Sequence, residues 1–235
     1  MPAEGAPARG QVALRESITS FILESGRKPG DSLPTEFEFM EMFRVSRNPL
    51  REAMKTLQAA GIVEVRHGYG TYVGSGALHA IHDGLAFRMM QSVGGDRAEV
   101  AQLLEVREAM EFGLGNRVIS TYLQHPLDRL EELVGEMEAK AQRNEEFNQC
   151  DLAFHEEMYR PLGNPLVLDF LRIFWRAFHE VDDRLPRSPY PLTENARWHR
   201  DILEAVRRSD RAEYERAIVT HFSGIATRLH IGQTL

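Results

Sequence analysis

Apolar positions recur three and four residues apart through most of the chain, with one short stretch where they alternate with polar ones. From Gln11 to Ser25, Val12, Ile18 and Ile22 follow the helical spacing, and Gly26 with Pro29-Gly30 closes the segment, which predicts a first helix over 11–25. Thr35 and Glu38 have capping-box spacing, each side chain able to satisfy an orphan amide of the first turn, so a short second helix should start at Thr35 and end by about Phe43. A third should start near Ser46 and end at Gly61, with Pro49 in the first turn, where a missing amide proton costs little. The β-rich runs IVEV and TYV, joined by Arg66-His67-Gly68-Tyr69-Gly70, then predict a hairpin. Three helices and a hairpin wing make a winged helix-turn-helix.

Gly74-Ser75-Gly76 reads as a linker, and beyond it the β signal disappears. Helical spacing predicts segments at about 79–93, 97–123, 127–143, 145–160, 165–184, 194–208 and 211–230, separated mainly by Gly and Pro breaks. Seven helices on short connections predict an all-α antiparallel bundle. The expected fold class is therefore mainly α: a disordered tail over 1–10, a winged helix-turn-helix over 11–75 and an all-helical domain over 76–235.

Composition excludes several classes. With 43% apolar and 27% charged residues the chain is an ordinary globular one, and no apolar run reaches the roughly 20 residues of a membrane helix, so no membrane partner is expected. The N-terminus lacks the apolar stretch of a secretory signal, and a single cysteine, Cys150, fits a reducing compartment, so a cytoplasmic location is expected. The net charge of -7 would discourage a nucleic-acid partner, but it is unevenly spread: residues 1–75 hold nine basic and nine acidic side chains, so the deficit lies wholly beyond them. Eight of the nine histidines also lie beyond residue 76. The two halves carry different chemistry.

In the third predicted helix Leu50, Ala53, Met54 and Leu57 form an apolar stripe, while Arg47, Asn48, Arg51 and Lys55 lie on the opposite face. Arg47, Arg51 and Lys55 fall four residues apart on one line, as a major-groove reader requires; a solvated helix face is the plainer alternative. The string LPTEFEFMEMFRVSRNPLREAMKTLQAAGIVEVRHGYGTYV resembles the DNA-binding domain of the GntR family of bacterial transcription regulators. The resemblance implies that Arg47 and Arg51 read bases and phosphates of double-stranded operator DNA. It also implies that His67 and Gly68 form the wing tip in the minor groove, and that the protein is a homodimer, more often a repressor than an activator. One position departs from the pattern: Phe37 stands where the family usually has Arg.

In the segment 145–160, Phe147, Cys150, Asp151, Phe154, His155 and Met158 share one stripe, so a carboxylate and an imidazole one turn apart should face inward. His199, with Ile202, Leu203 and Val206, and His221, between Ile218 and Ile225, are placed in the same way. Any one of these histidines alone is more simply a hydrogen-bonded core residue. Together Asp151, His155, His199 and His221 make a ligand set suited to Zn²⁺, Ni²⁺ or Mn²⁺. This pattern resembles the metal-binding form of the FCD domain, the all-helical partner of FadR-type GntR regulators. The resemblance implies a divalent metal at the base of a pocket and an effector that is a small carboxylate, including hydroxy and sugar acids. The stripe Val100, Leu103, Leu104, Arg107, Glu111 and Leu114 aims Arg107 inward, either as an effector anchor with Glu111 or as half of an internal Arg107–Glu111 ion pair. His155-Glu156-Glu157-Met158-Tyr159 begins like H-E-x-x-H, but Tyr159 replaces the second His, so a metalloprotease reading fails. A metal-dependent enzyme acting on a small organic acid and a structural metal site without effector remain as alternatives.

Overall fold

The computed structural model describes residues 6–76 and 78–230. It divides into two compact units, 1–81 and 82–235.

The first unit contains α1 (Ala6–Glu24), α2 (Glu36–Phe43), α3 (Arg47–Ala59), β1 (Val63–Arg66) and β2 (Gly70–Val73). Helix α1 starts before the expected Gln11, so residues 6–10, expected as tail, are helical; residues 1–5 lie outside the described ones. Its buried stripe is Leu14, Ile18 and Ile22, spaced i, i+4 and i+8, which turns Val12 outward at 42% exposure. The capping box of α2 forms in both directions: Thr35 accepts from the Glu38 amide and the Glu38 side chain accepts from the Thr35 amide. At the other end Arg44 takes a left-handed conformation (φ 51°), and the Val45 amide closes onto the Met40 carbonyl at 3.1 Å, producing the turn into α3. Leu50, Ala53 and Leu57 of α3 pack against Ile18 and Phe39 in one core, with Met54 partly buried at its edge.

The hairpin is antiparallel in the register Val63↔Val73, Glu64↔Tyr72, Val65↔Thr71 and Arg66↔Gly70. Gly68 and Gly70 adopt positive φ at its turn, which L side chains rarely tolerate. The segment expected as a free linker is instead tied down. The Gly74 amide bonds the Ile62 carbonyl at 2.8 Å and the Gly76 amide bonds that of Gly61 at 3.0 Å. A β-carbon at position 74 would lie 2.0 Å from the Gly61 oxygen, so the glycine there serves close backbone approach rather than flexibility.

Helix α4 (His79–Val93) starts three residues before the second unit, which is helical: α5 (Ala98–Gly113), α6 (Gly115–Tyr122), α7 (Asp128–Gln142), α8 (Asn148–Tyr159), α9 (Pro165–Asp182), α10 (Leu192–Arg207) and α11 (Arg211–His230), with a 3₁₀ turn at Arg160–Leu162. The segment expected as one helix over 97–123 is divided at Leu114 into α5 and α6. Gly115, the first residue of α6, lies against the Tyr214 ring: a β-carbon there would stand 2.9 Å from two ring atoms. Helix α10 packs on α7 and α11, α8 on α7 and α9, and α5 on α9 and α11. Arg200 of α10 is ion-paired with Glu138 at 2.9 Å and with Glu131, fastening α10 to α7 on the outside of the core. Between them α5, α8, α10 and α11 bring together the polar side chains of the candidate site. No described helix is long and apolar enough to cross a membrane.

Candidate functional site

On α3, Arg47, Asn48, Arg51 and Lys55 are all exposed, opposite the buried Leu50, Ala53 and Leu57. Ser46 caps this helix with extended backbone and no side-chain hydrogen bond, leaving its first turn as the positive end of a helix dipole. Arg47 and Arg51 converge on one acceptor, Glu36 Oε1, at 3.3 and 2.9 Å, and Lys55 pairs with Glu52 at 2.8 Å. Exposed pairs of this kind contribute about 0.2–1 kcal/mol each, so incoming phosphates can replace them. A groove of about 590 Å³ runs between α3 and the hairpin, lined by Asn48, Arg51, Lys55, Val65, His67 and Thr71. His67 and Gly68 lie exposed at the hairpin tip, whose base is stiffened by Arg66 bonding Glu64 and lying 4.2 Å over the Tyr72 ring. The groove and the role of Glu36 were not part of the sequence reading; the pairing joins residues 15 apart on different helices, where no periodicity signals it. Phe37 is exposed beside Glu36.

In the helical unit one potential ligand atom from each of Asp151, His155, His199 and His221 lies within 4.8 Å of the others. Donors held 2.0–2.2 Å from a common ion are separated by up to about 4 Å, so this cluster needs only slight closure. His199 Nε2 lies 2.8 Å and His155 Nε2 3.3 Å from Asp151 Oδ1, while the His199 and His221 rings are 4.6 Å apart. The remote nitrogens of two ligands are already engaged. His199 Nδ1 donates to the Asn195 carbonyl at 2.9 Å, and His155 Nδ1 to Glu111 Oε2 at 2.8 Å, which directs the lone pair of each Nε2 toward the cluster. His155 Nε2 and both His221 nitrogens are buried without a hydrogen-bond partner. Unpaired buried imidazole nitrogens beside a carboxylate fit a divalent cation, which would satisfy them together.

The electrostatics suit a cation at Asp151 and His221, but they favour a proton on His155 that a metal would have to displace. Burial alone would raise the Asp151 carboxyl, but the His155 and His199 rings beside it hold it well below the ordinary carboxylate range. Burial, with His199 and His155 nearby, pushes His221 well below the ordinary imidazole range, so it is neutral, as a ligand must be. Burial opposes a charge on His155, yet the Glu111 carboxylate outweighs it and raises that imidazole.

Glu111 is wholly buried and is the hub behind the cluster. Arg107 Nε donates to its Oε1 at 2.7 Å, and the Tyr159 hydroxyl donates to its Oε2 at 3.0 Å, beside His155. Tyr214 continues the chain, 2.9 Å from the Tyr159 hydroxyl and 3.3 Å from the Glu111 carbonyl. Burial would raise Glu111, but the charges of His155 and Arg107 hold it far below the usual range. The internal Arg107–Glu111 pair is therefore present, and Arg107 also stands close enough to Asp151 to feel its charge and lies 5.3 Å over the Phe222 ring. Glu111 faces the back of His155, a position from which it orients a ligand. Tyr214 and Asn195 went unnoticed in the sequence because each reads as an ordinary helix residue until packing joins it to the cluster, and Tyr159 was read only as the residue that breaks the H-E-x-x-H pattern. Cys150 is a buried thiol 3.6 Å from Glu136, and His179 stacks on Trp175 at 3.7 Å.

A winged helix with an exposed basic face, joined in one chain to a helical domain enclosing a buried carboxylate and imidazole cluster, is the build of a DNA-binding transcription regulator. Residues 11–73 match the family described as bacterial regulatory proteins, gntR family, and residues 102–224 match the FCD domain. The chain is 34% identical over 204 residues to the HTH-type transcriptional regulator LutR of Bacillus subtilis, covering 84% of this chain and 91% of the relative. It is 25% identical to the galactonate operon transcriptional repressor of Escherichia coli, over 86% of this chain and 88% of that one. Among solved structures it is similar to a Streptococcus agalactiae GntR, with a TM-score of 0.62, 25% identity and coverage of 92% and 99% of the two chains. The chain belongs to the GntR family of transcription regulators and carries an FCD effector-binding domain.

Proposed function

We propose that this chain is a cytoplasmic, homodimeric repressor that binds double-stranded operator DNA and is controlled by a small carboxylate, a hydroxy or sugar acid included, bound at a divalent metal in its helical domain. The observation that carries the reading is the set of buried, unpartnered nitrogens on His155 and His221 gathered around Asp151 and His199. Asp151, His155, His199 and His221 would hold Zn²⁺, Ni²⁺ or Mn²⁺, and the ion would supply a Lewis-acid position for an acid oxygen. Arg107 contributes donors in a planar fork suited to a carboxylate. Glu111 keeps His155 in the tautomer that ligates and holds Arg107 in place. At the other end of the chain Arg47, Asn48, Arg51 and Lys55 enter the major groove, with His67 and Gly68 at the wing tip. Two heads in one dimer fit a short pseudopalindrome, one per half-site. Repression is supported by the names of relatives, the galactonate operon repressor and the repressor NanR of E. coli.

The enzyme alternative finds less support. Glu111, the buried carboxylate behind the cluster, is committed to Arg107, His155 and Tyr159 and is not free to act as a base. The test is elemental analysis of demetallated and reconstituted full-length protein. About one ion per chain is expected, lost in His199→Ala or His221→Ala. Absence of stoichiometric metal in the reconstituted wild type would return the cluster to the status of hydrogen-bonded core.

A further inference from the structure

We infer that Phe37 reads a thymine of the operator by seating its ring on the C5-methyl group in the major groove, an inference that rests on the placing of α3 in that groove proposed above. Helix α2 carries three phenylalanines in different surroundings. Phe39 is buried and Phe43 partly buried, and their rings stack with centroids 5.8 Å apart, beside Phe21 in the core of the first unit. Phe37 stands outside that cluster with 66% of its surface exposed. A single exposed apolar side chain ordinarily needs no explanation. The position of this one supplies a task for it.

Its neighbours on both sides fix where it stands. Glu36 turns toward α3, where Arg47 and Arg51 reach its Oε1 at 3.3 and 2.9 Å. The Glu38 carboxylate folds back to accept from the Thr35 amide at 2.7 Å, which holds the first turn of α2 in place. Successive helix residues are turned by about 100°, so Phe37 points about 100° from Glu36 and about 200° from the buried Phe39. Met42, which lines the α1 side of α2, points about 140° away from it by the same count. The ring is thus directed outward on the flank of α2 next to α3, beside the arginines that Glu36 holds. Arg47, Arg51 and Lys55 bring N–H donors to this face, and Asn48 a donor and an acceptor. They can read guanine and adenine edges and hold phosphates, but none recognises the methyl by which the major groove marks thymine. An apolar ring beside cations meets that need: the cations draw in the polyanion, and the ring sheds water against the methyl. Cytosine carries a hydrogen in place of the methyl, so the contact separates T·A from C·G. Phe has no donor for a phosphate oxygen, so the DNA backbone gives the ring no comparable partner.

The test uses full-length protein and a duplex that it selects from a random library, with affinity read by fluorescence anisotropy. Each thymine is replaced in turn by deoxyuridine, which deletes only the methyl, and each guanine by 7-deazaguanine, which deletes the N7 acceptor that arginine uses. Loss of the methyl at one thymine per half-site should weaken wild-type binding about fourfold, the equivalent of one buried methyl group. Phe37→Ala and Phe37→Ser should bind the thymine and deoxyuridine duplexes equally well, keep the penalty for 7-deazaguanine, and unfold at the wild-type midpoint because the ring lies outside the core. A methyl effect that persists in both variants overturns the assignment of Phe37. So does a wild type that is weakened by 7-deazaguanine but indifferent to every thymine methyl. Indifference to both replacements is a separate failure, since it overturns the placing of α3 in the major groove itself.

Discussion

Replacing Glu111 by Gln tests whether the hub behind the cluster supports the metal ligands or merely the fold. The carboxylate accepts from Arg107 at 2.7 Å, from Tyr159 at 3.0 Å and from His155 Nδ1 at 2.8 Å, with no solvent access. Gln keeps the shape but removes the charge and turns one acceptor into a donor, which cannot face both Arg107 and the His155 N–H. Removing one partner of a buried ion pair costs about 3–5 kcal/mol of folding stability, because the Arg107 charge remains without its counter-ion. Losing the outer partner of a ligating histidine typically lowers metal affinity 10- to 100-fold, about 1.4–2.7 kcal/mol. The two losses are read separately, zinc affinity by competition with a chromophoric chelator and stability by denaturant unfolding of the metal-free protein. Tyr159→Phe is the control: it deletes one hydrogen bond to Glu111, should cost about 0.5–1.5 kcal/mol of stability, and should leave zinc affinity within a few-fold. An E111Q protein that is destabilised as expected yet binds zinc like the wild type would refute the link between Glu111 and the ligand set.

Further consequences concern the two domains individually. Arg47→Ala or Arg51→Ala should weaken operator binding by about 1–3 kcal/mol, whereas Lys55→Ala should act chiefly by lowering the salt dependence, both read by fluorescence anisotropy across a salt series. Undiminished binding by the double Arg variant would remove α3 as the reader. Gly224→Ala should destabilise the helical domain by about 1–3 kcal/mol in thermal or denaturant unfolding, because a β-carbon there would stand 2.1 Å from the Trp198 ring, which is itself buried. A variant as stable as wild type would mean that Trp198 repacks freely.

Much of the fold was legible because local signals and tertiary packing agree. The Thr35/Glu38 spacing forecast a capping box that forms, and the glycines between IVEV and TYV forecast the hairpin turn. The division at Leu114 was hidden because the apolar spacing runs on through it, and the need for Gly115 comes from the Tyr214 ring, far along the sequence. Gly74 was taken for a flexible link for the same reason: a glycine needed for close backbone approach to Gly61 looks, in sequence, like one needed for freedom. At the site, periodicity sufficed to turn Asp151, His155, His199 and His221 inward, since each lies on an apolar stripe of its own helix. It could not distinguish a residue that faces the cluster from one behind it, which is where Glu111 stands.

On the function proposed above, acid bound in the helical domain changes what the winged helix does. This is tested by the affinity of metal-loaded full-length protein for a duplex selected by it from a random library, taken with and without a saturating small carboxylate that the same protein binds. The acid should weaken operator binding about 5- to 150-fold, and saturating operator should weaken acid binding by the same factor, as linkage demands. An acid that binds the metal-loaded chain and leaves operator affinity unchanged would contradict that function.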